Sequence, residues 1–441
     1  MLDRYKQYQS YIDSGVPWQA ATPSHWRGLK LKFLLNEKKK NTNPTLPAGS
    51  ISFGVVVYKN EDNLSEDTKG SYREVLIDEF LINPLNLNYD LKSLRTALSD
   101  KNVVVSSGYL VVTATDFIDK NFARWLLYQF DVAHMKTLGS GVRQTLTYTD
   151  ISNCYAFFPK CLDEQKIIGE FINHETAKID ALIAKQKKLI ELLKEKRQAV
   201  ISHAVIKGLN PDVPMKDSVI KWLGEVPKHW VICTLRRLIL EIEQGKSPEC
   251  ESQPATLGEW GVLKTSCVNH GLYRPNENKR LPVSIEPHIK YEVNKGDLLM
   301  SRASGSPSLI GSVALADCDE PMKLLSDKIF RIQTQKAVNK EYFYWLMQSD
   351  AMRQQIVQSI SGAEGMANNI TKSAIVDFSA VLPSLEEQQK IASTIKVETH
   401  KFLLLIEKAT KQLNLLDERK SSLISAAVTG KIDVRNWQPR T

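Results

Sequence analysis

The sequence predicts an α+β chain built twice over: two mixed domains of strands and short helices, separated by two long antiparallel helices forming a coiled coil, with an internal pseudo-twofold repeat. Three observations carry this. A long helical run from Leu162 to Val205 recurs from Leu385 to Val428. A lead-in motif near the N-terminus returns 204 residues later, and the stretches between motif and helix share turn and apolar positions while differing in their polar loops.

The chain of 441 residues is long enough for two or three domains, and 42% apolar residues suffice for real cores. Its net charge of +8 favours an anionic partner. No apolar run approaches the roughly 20 residues that span a bilayer, and the N-terminus lacks the apolar core of a signal peptide. A soluble, intracellular protein is therefore expected. Six cysteines, Cys154, Cys161, Cys233, Cys250, Cys267 and Cys318, form no Cys-x-x-Cys pair. They read as reduced structural thiols, and no metal site is expected.

The first half opens with Asp13, Ser14, Trp18, Pro23, His25, Trp26, Leu31 and Leu34. Adding 204 gives Asp217, Ser218, Trp222, Pro227, His229, Trp230, Leu235 and Leu238. The tryptophans are expected to anchor this segment on a core, and the two histidines to pack or cap rather than bind metal. A first mixed domain is placed at 1–160 and a second at 216–384. Runs such as 51–57, 102–112, 297–303, 310–316 and 328–332 read as strands bounded by Gly, Asn and Asp turns. A shift of 220 superposes Ser106, Val112, Trp125 and Leu126 on Ser326, Ile332, Trp345 and Leu346. A shift of 224 does the same for Gly141, Leu146, Ile151 and Pro159 on Gly365, Ile370, Ile375 and Pro383.

The long helices are placed at 161–207 and 385–430, with a proline-rich linker at 208–215 and a tail at 431–441. Steps of three, four and seven define a seam at Ile168, Ile172, Ile179, Leu182, Leu189, Leu193 and Val200. Adding 223 gives Ile391, Ile395, Phe402, Leu405, Gln412, Leu416 and Leu423, of which only Gln412 is polar. Phe171, Ile183, Ile190, Leu192, Leu404 and Leu413 widen the stripe and offer a surface for a partner's helices. Asp163-Glu164 and Glu386-Glu387 suit the positive end of the helix dipole. Gly208, Pro211, Pro214 and Gly430 stop the helices. At about 1.5 Å per residue each would make a rod of roughly 65 Å.

Catalytic patterns are missing. There is no Gly-rich loop ending in Gly-Lys-Ser/Thr, and Asn83-Pro84-Leu85-Asn86 lacks the aromatic of an amino-methyltransferase signature. Asp212 and Lys216 sit in a proline linker rather than beside a nuclease strand, and no nucleophile–base pair shows a local signature.

The order of lead-in motif, variable domain, long helix, proline linker and then the same again resembles the specificity subunit of a type I restriction-modification system. The likeness is carried by Lys216–Trp230, by Pro383 with Leu385-Glu386-Glu387-Gln388, and by Ala426–Ile432. Gln19-Ala20-Ala21-Thr22 departs from the Leu223-Gly224-Glu225-Val226 of the second copy, although Trp18, Pro23 and Trp26 are in place. The resemblance implies a non-catalytic subunit whose two target recognition domains each read one half of a bipartite site in double-stranded DNA. The helices would set the spacer and dock two adenine methyltransferase subunits, with two motor-nuclease subunits completing the complex. S-adenosylmethionine, ATP and Mg²⁺ would belong to those partners, leaving this chain without a cofactor. A stand-alone DNA-binding or scaffold protein, and a methyltransferase-only defence system, remain as alternatives.

Base contacts are expected from polar loop residues, since Arg pairs well with guanine and Asn or Gln with adenine. In the first domain these are Asn83, Asn86, Arg95, Arg143, Gln144 and Thr145. In the second they are Ser301, Arg302, Ser304, Ser306, Asn368, Asn369 and Thr371. Lys38, Lys39, Lys40, Lys279 and Arg280 are phosphate candidates, and the run Lys185, Lys187, Lys188, Lys194, Lys196 and Arg197 reads as a solvated face.

Overall fold

A computed structural model of the chain describes residues 5–87, 94–138, 143–360 and 368–439. It divides into two units, residues 1–187 with 411–441, and residues 188–410. Each long helix starts in one unit and ends in the other. Among the described residues no helix is long and apolar enough to cross a membrane.

In the first unit the lead-in segment folds as a ribbon, Tyr11–Asp13 against Ala21–Pro23, and the next strand, Arg27–Lys30, pairs with Tyr155–Phe158. A four-stranded antiparallel sheet follows, ordered Thr96–Leu98, Phe80–Ile82, Leu110–Ala114, Leu35–Glu37. The helix Lys120–Ala133 begins where the Asp119 carboxylate accepts from the amides of Asn121 and Phe122, and it buries Phe122, Leu126 and Phe130. Alternating apolar residues of the strands and every third or fourth residue of the helix meet in one core. The first long helix, Leu162–Lys207, adds Ile168, Phe171, Ile172 and Ile179 to it, and the end of the second, Leu385–Val428, adds Leu423, Ile424, Ala427 and Val428.

The second unit repeats this plan. Met215–Asp217 pairs with Glu225–Pro227, and Val231–Thr234 with Ser379–Leu382. The sheet runs Ile239–Gln244, Ile329–Thr334, Leu298–Ser301, Val313–Leu315. Trp230, Leu235, Leu238, Tyr342, Leu346, Ile391 and Ile395 take the core places of Trp26, Leu31, Leu34, Phe122, Leu126, Ile168 and Ile172. From the long helices, Ile201, Ala204 and Val205 replace Ile424, Ala427 and Val428. The single 14-residue helix of the first unit becomes two here, Lys340–Met347 and Asp350–Gln358, because Ser349 starts a new helix by accepting from the Met352 amide. A three-stranded sheet, Asn278–Arg280, Gly261–Leu263 and Lys323–Leu324, belongs to this unit.

The lead-in motif is a latch on the long helix. Glu164, in the helix's first turn, accepts from the Tyr8 hydroxyl at 2.9 Å and the Trp26 indole at 3.1 Å, and pairs with His25 at 3.1 Å. Glu387 does the same with His229 at 2.8 Å and Trp230 at 3.3 Å. The neighbouring glutamine closes the other side. Gln165 accepts from the Asp119 amide and donates to the Pro159 carbonyl, and Gln388 accepts from the Asn339 amide and donates to that of Pro383. The dipole alone does not account for these acids: they receive the hydrogen bonds that fix each domain to its helix. His25 and His229 are exposed and hydrogen-bond these carboxylates, while Trp26 and Trp230 are buried.

At the far end of each helix a glycine turns the chain against a latch tryptophan. Gly208 has φ +79° and lies against Trp230; Gly430 has φ +74°, and a Cβ there would fall 2.4 Å from the Pro23 ring. Only glycine combines that left-handed backbone with so close an approach.

The predicted seam needs correction in its middle. Leu182, Leu189 and Leu405 are exposed, and so are Leu192 and Leu404. The shielded positions run instead through Ile172, Thr176, Ile179, Ile183, Gln186, Ile190, Leu193 and Arg197, and on the second helix through Ile395, Thr399, Phe402, Ile406, Ala409, Leu413, Leu416, Lys420 and Leu423. These are regular steps of four and three, the coiled-coil repeat. The expectation followed leucines and so skipped Thr176, Gln186 and Lys420, polar residues that occupy seam places. In the first unit the helices run antiparallel, tied by Gln186 to Gln412 at 3.0 Å and Lys420 to Asp180 at 2.6 Å. The run Lys185, Lys187, Lys188, Lys194 and Lys196 is exposed, as a solvated face should be.

Candidate nucleic-acid interface

In each unit, two polar stretches far apart in sequence come together as a short ribbon beyond the end of the main sheet. In the first unit Leu85–Leu87 pairs antiparallel with Arg143–Thr145, placing Gln144 opposite Asn86. The backbones of Asn86, Arg143 and Gln144 are described, and their side chains lie outside the described residues. Asn83 turns the chain into this ribbon, its side-chain oxygen accepting from the Leu85 amide at 3.1 Å, while Thr145 is exposed. In the second unit Ala303–Ser304 pairs with Asn368–Asn369, and the Arg302 carbonyl accepts from the Ile370 amide at 2.9 Å. Ser304 accepts from the Ser306 amide, and the Ser306 hydroxyl meets Ser308 at 2.8 Å. The equivalent loops of the two repeats therefore adopt equivalent ribbons of different composition.

Several predicted contact residues are corrected. Arg95 is buried, with its Nε 3.0 Å from Asp131 Oδ1 and its amide 2.6 Å from Oδ2, so its charge serves the core. Burial pushes the Asp131 carboxyl above its ordinary range even against the pull of that guanidinium. Ser301 is fully buried, donating to the Leu309 carbonyl at 2.7 Å and accepting from the Ser312 amide. Thr371 caps the helix Lys372–Val376 by accepting from the Ala374 amide. Lys38 is held between Glu74 at 3.2 Å and Glu79 at 2.9 Å, and Arg280 between Glu251 and Glu259. A sequence shows that a residue is basic, but not that a carboxylate from another strand already neutralises it. Lys39, Lys40 and Lys279 are exposed.

Two cations were missed. Lys264 and Lys328 line one cleft of about 500 Å³ together with Lys279. They sit 64 positions apart in turns without shared sequence pattern, and only the fold brings them together. The cleft adjoins the second ribbon, since the Lys328 carbonyl accepts from the Arg302 amide at 2.8 Å.

Residues 230–415 match the type I restriction modification DNA specificity domain. Over that stretch the chain is similar to type I restriction-modification specificity subunits. Among curated members, it is 29% identical over 210 residues to the specificity subunit of the EcoEI type I restriction enzyme of Escherichia coli, covering 47% of this chain and 35% of that one. To the EcoKI specificity subunit of Escherichia coli K12 it is 27% identical over 285 residues, covering 63% and 57%. To the MjaVIII specificity subunit of Methanocaldococcus jannaschii it is 26% identical over 286 residues, covering 62% and 61%. The matches thus span from about a third to three fifths of these type I specificity subunits. A solved structure concerned with complex assembly and conformational transition of the type I R-M system covers 92% of this chain and 98% of its own, with a TM-score of 0.68 at 13% identity, which shows the shared fold.

Proposed function

We propose that the chain is the DNA-reading subunit of a type I restriction-modification complex, with no catalysis of its own. Each unit reads one half of a bipartite site in double-stranded DNA through its ribbon. The observation that carries this is the repeat itself: one fold, latched in one way to a long helix, occurs twice and ends in two ribbons of unlike polar residues. A scaffold protein has no need for ribbons that diverge while everything behind them is kept. The lengths of the two helices set the spacer between half-sites. Their exposed leucines, Leu182 and Leu415 in the first unit and Leu189, Leu192, Leu404 and Leu405 in the second, dock the two adenine methyltransferase subunits. S-adenosylmethionine, and the ATP and Mg²⁺ of two motor-nuclease subunits, belong to those partners.

Co-expression with a cognate methyltransferase subunit, followed by mapping of methylated adenines, tests the reading. A new bipartite motif is expected. Inserting one helical turn into both long helices should lengthen the spacer and leave each half-site unchanged; altered half-sites, or no motif from the unmodified chain, would count against it. Arg302→Ala should relax base preference in one half-site only, by about 1–3 kcal/mol if the arginine makes a bidentate pair.

A further inference from the structure

We infer that the cleft lined by Lys264, Lys279, Ser326 and Lys328 binds a phosphodiester of duplex DNA, anchoring the backbone beside the second unit's ribbon; this rests on the DNA-reading role proposed above. Three stretches build the cleft. Lys264 follows the strand Gly261–Leu263, Lys279 lies on the adjacent strand Asn278–Arg280, and Ser326 and Lys328 form the turn before Ile329–Thr334.

The charges there are arranged for an outside anion. Nearby arginines are already paired, Arg280 with Glu251 and Glu259, and Arg331 with Glu243 and Asp297. Among the described residues, none of the three lysines has a carboxylate within salt-bridge distance. One acid, Asp327, lines the cleft and accepts from the Ser247 hydroxyl, and Glu277 beside it accepts from that of Ser266 at 2.7 Å. Ser326 supplies a second, independent mark. It is 95% buried at the cleft, and its hydroxyl has no hydrogen-bond partner within the protein. Buried polar atoms are nearly always satisfied, and a rotation about χ1 would turn this hydroxyl toward a phosphate oxygen able to accept from it.

The position selects DNA over a free anion. The turn that presents Ser326 and Lys328 is bonded to the ribbon, the Asp327 carbonyl accepting from the Arg302 guanidinium at 3.4 Å and the Lys328 carbonyl from the Arg302 amide. A strand whose phosphate sits in the cleft would present its bases toward that ribbon. Phosphate contact would fix register, and the ribbon would read sequence.

The test is binding of the full chain to a duplex of about 30 base pairs between about 50 and 200 mM salt, with random and site-containing sequences. The triple variant Lys264→Gln, Lys279→Gln, Lys328→Gln should bind about tenfold or more weakly on every sequence. Its log-affinity against log-salt slope should be shallower by about one, since each phosphate no longer neutralised removes about 0.9. Lys295→Gln, an exposed lysine elsewhere in this unit, should change neither. Bound duplex should also protect Lys264, Lys279 and Lys328, but not Lys295, from amine acetylation. A folded triple variant with unaltered affinity and slope overturns the cleft while leaving the DNA-reading role standing. So does protection of the three lysines by inorganic phosphate but not by bound duplex. Failure of the unmodified chain to bind any duplex at low salt overturns the DNA reading, and the cleft with it.

Discussion

The two latches use the same glutamate differently. Glu164 is nearly buried and spends both oxygens on the lead-in motif, receiving Tyr8, His25 and Trp26. Glu387 divides itself. One oxygen takes His229 and Trp230, while the other accepts from the Ser384 amide at 3.1 Å and hydroxyl at 2.9 Å. Ser384 in return accepts from the Glu387 amide, completing a capping box. Two residues account for the difference. Position 161, equivalent to Ser384, is a cysteine, and position 212, equivalent to Tyr8, is an aspartate. The first latch thus holds the domain more tightly, and the second holds its own helix end more tightly.

Core truncation should disturb both units alike. Ile172→Ala and Ile395→Ala remove matching, fully buried side chains and should each cost about 2–5 kcal/mol in denaturant unfolding. A wide gap between the two would break the equivalence of the repeats. The latches should differ. Glu164→Ala leaves three donors without their acceptor and should cost about 3 kcal/mol, whereas Glu387→Ala, at a more open site, should cost about 1 kcal/mol. Reversal of that order would sink the contrast.

Transplanting the cap sharpens it. Cys161→Ser should stabilise the first helix end by about 0.5–1 kcal/mol, and Ser384→Ala should weaken the second by about 1 kcal/mol, read as amide exchange in the first helical turns.

Acid should act on the second latch in a defined window. Partial burial opposes its charge, but hydrogen bonds from His229, Ser384 and Trp230 hold the Glu387 carboxyl down at about 2, below its ordinary 4.5. A lowered folded-state value means the stabilisation is full above about pH 4.5 and is lost as pH falls toward 2. Protection factors of amides near Glu387, taken relative to intrinsic exchange at each pH, should therefore fall between pH 5 and pH 3, modestly because solvent screens the site, and Glu387→Gln should flatten the response. The smallest effect is reserved for Leu189→Ala, which should change stability by less than about 0.5 kcal/mol and lower recovery of a co-expressed methyltransferase partner.

Much of this architecture could be read without coordinates because it is written twice. Trp26 with Trp230 and Ile168 with Ile391 announce shared core places through chemistry that only burial requires. That Asn83–Asn86, Arg143–Thr145, Arg302–Ser304 and Asn368–Asn369 lie in polar stretches differing between repeats was also legible, but their pairing as ribbons is seen only in the fold. Side-chain availability was not. Arg95 and Ser301 look like their neighbours in sequence, and only the sheet shows them facing Asp131 and the Leu309 carbonyl. The middle of the seam was misread for a related reason: Gln186 and Lys420 find partners across the helix pair, so polarity there says nothing about direction.

The glycine turns at the helix ends bear on the order in which the chain can finish folding. Everything in the core of the second unit lies between residues 188 and 410, so it is complete while the last helical turns are still being synthesised. The first unit, translated before it, lacks Leu423, Ile424, Val428 and the Gly430 contact with Pro23 until the far end of the second long helix has left the ribosome. The domain translated first is thus the domain closed last, and its open core is the surface a nascent chain must keep from straying.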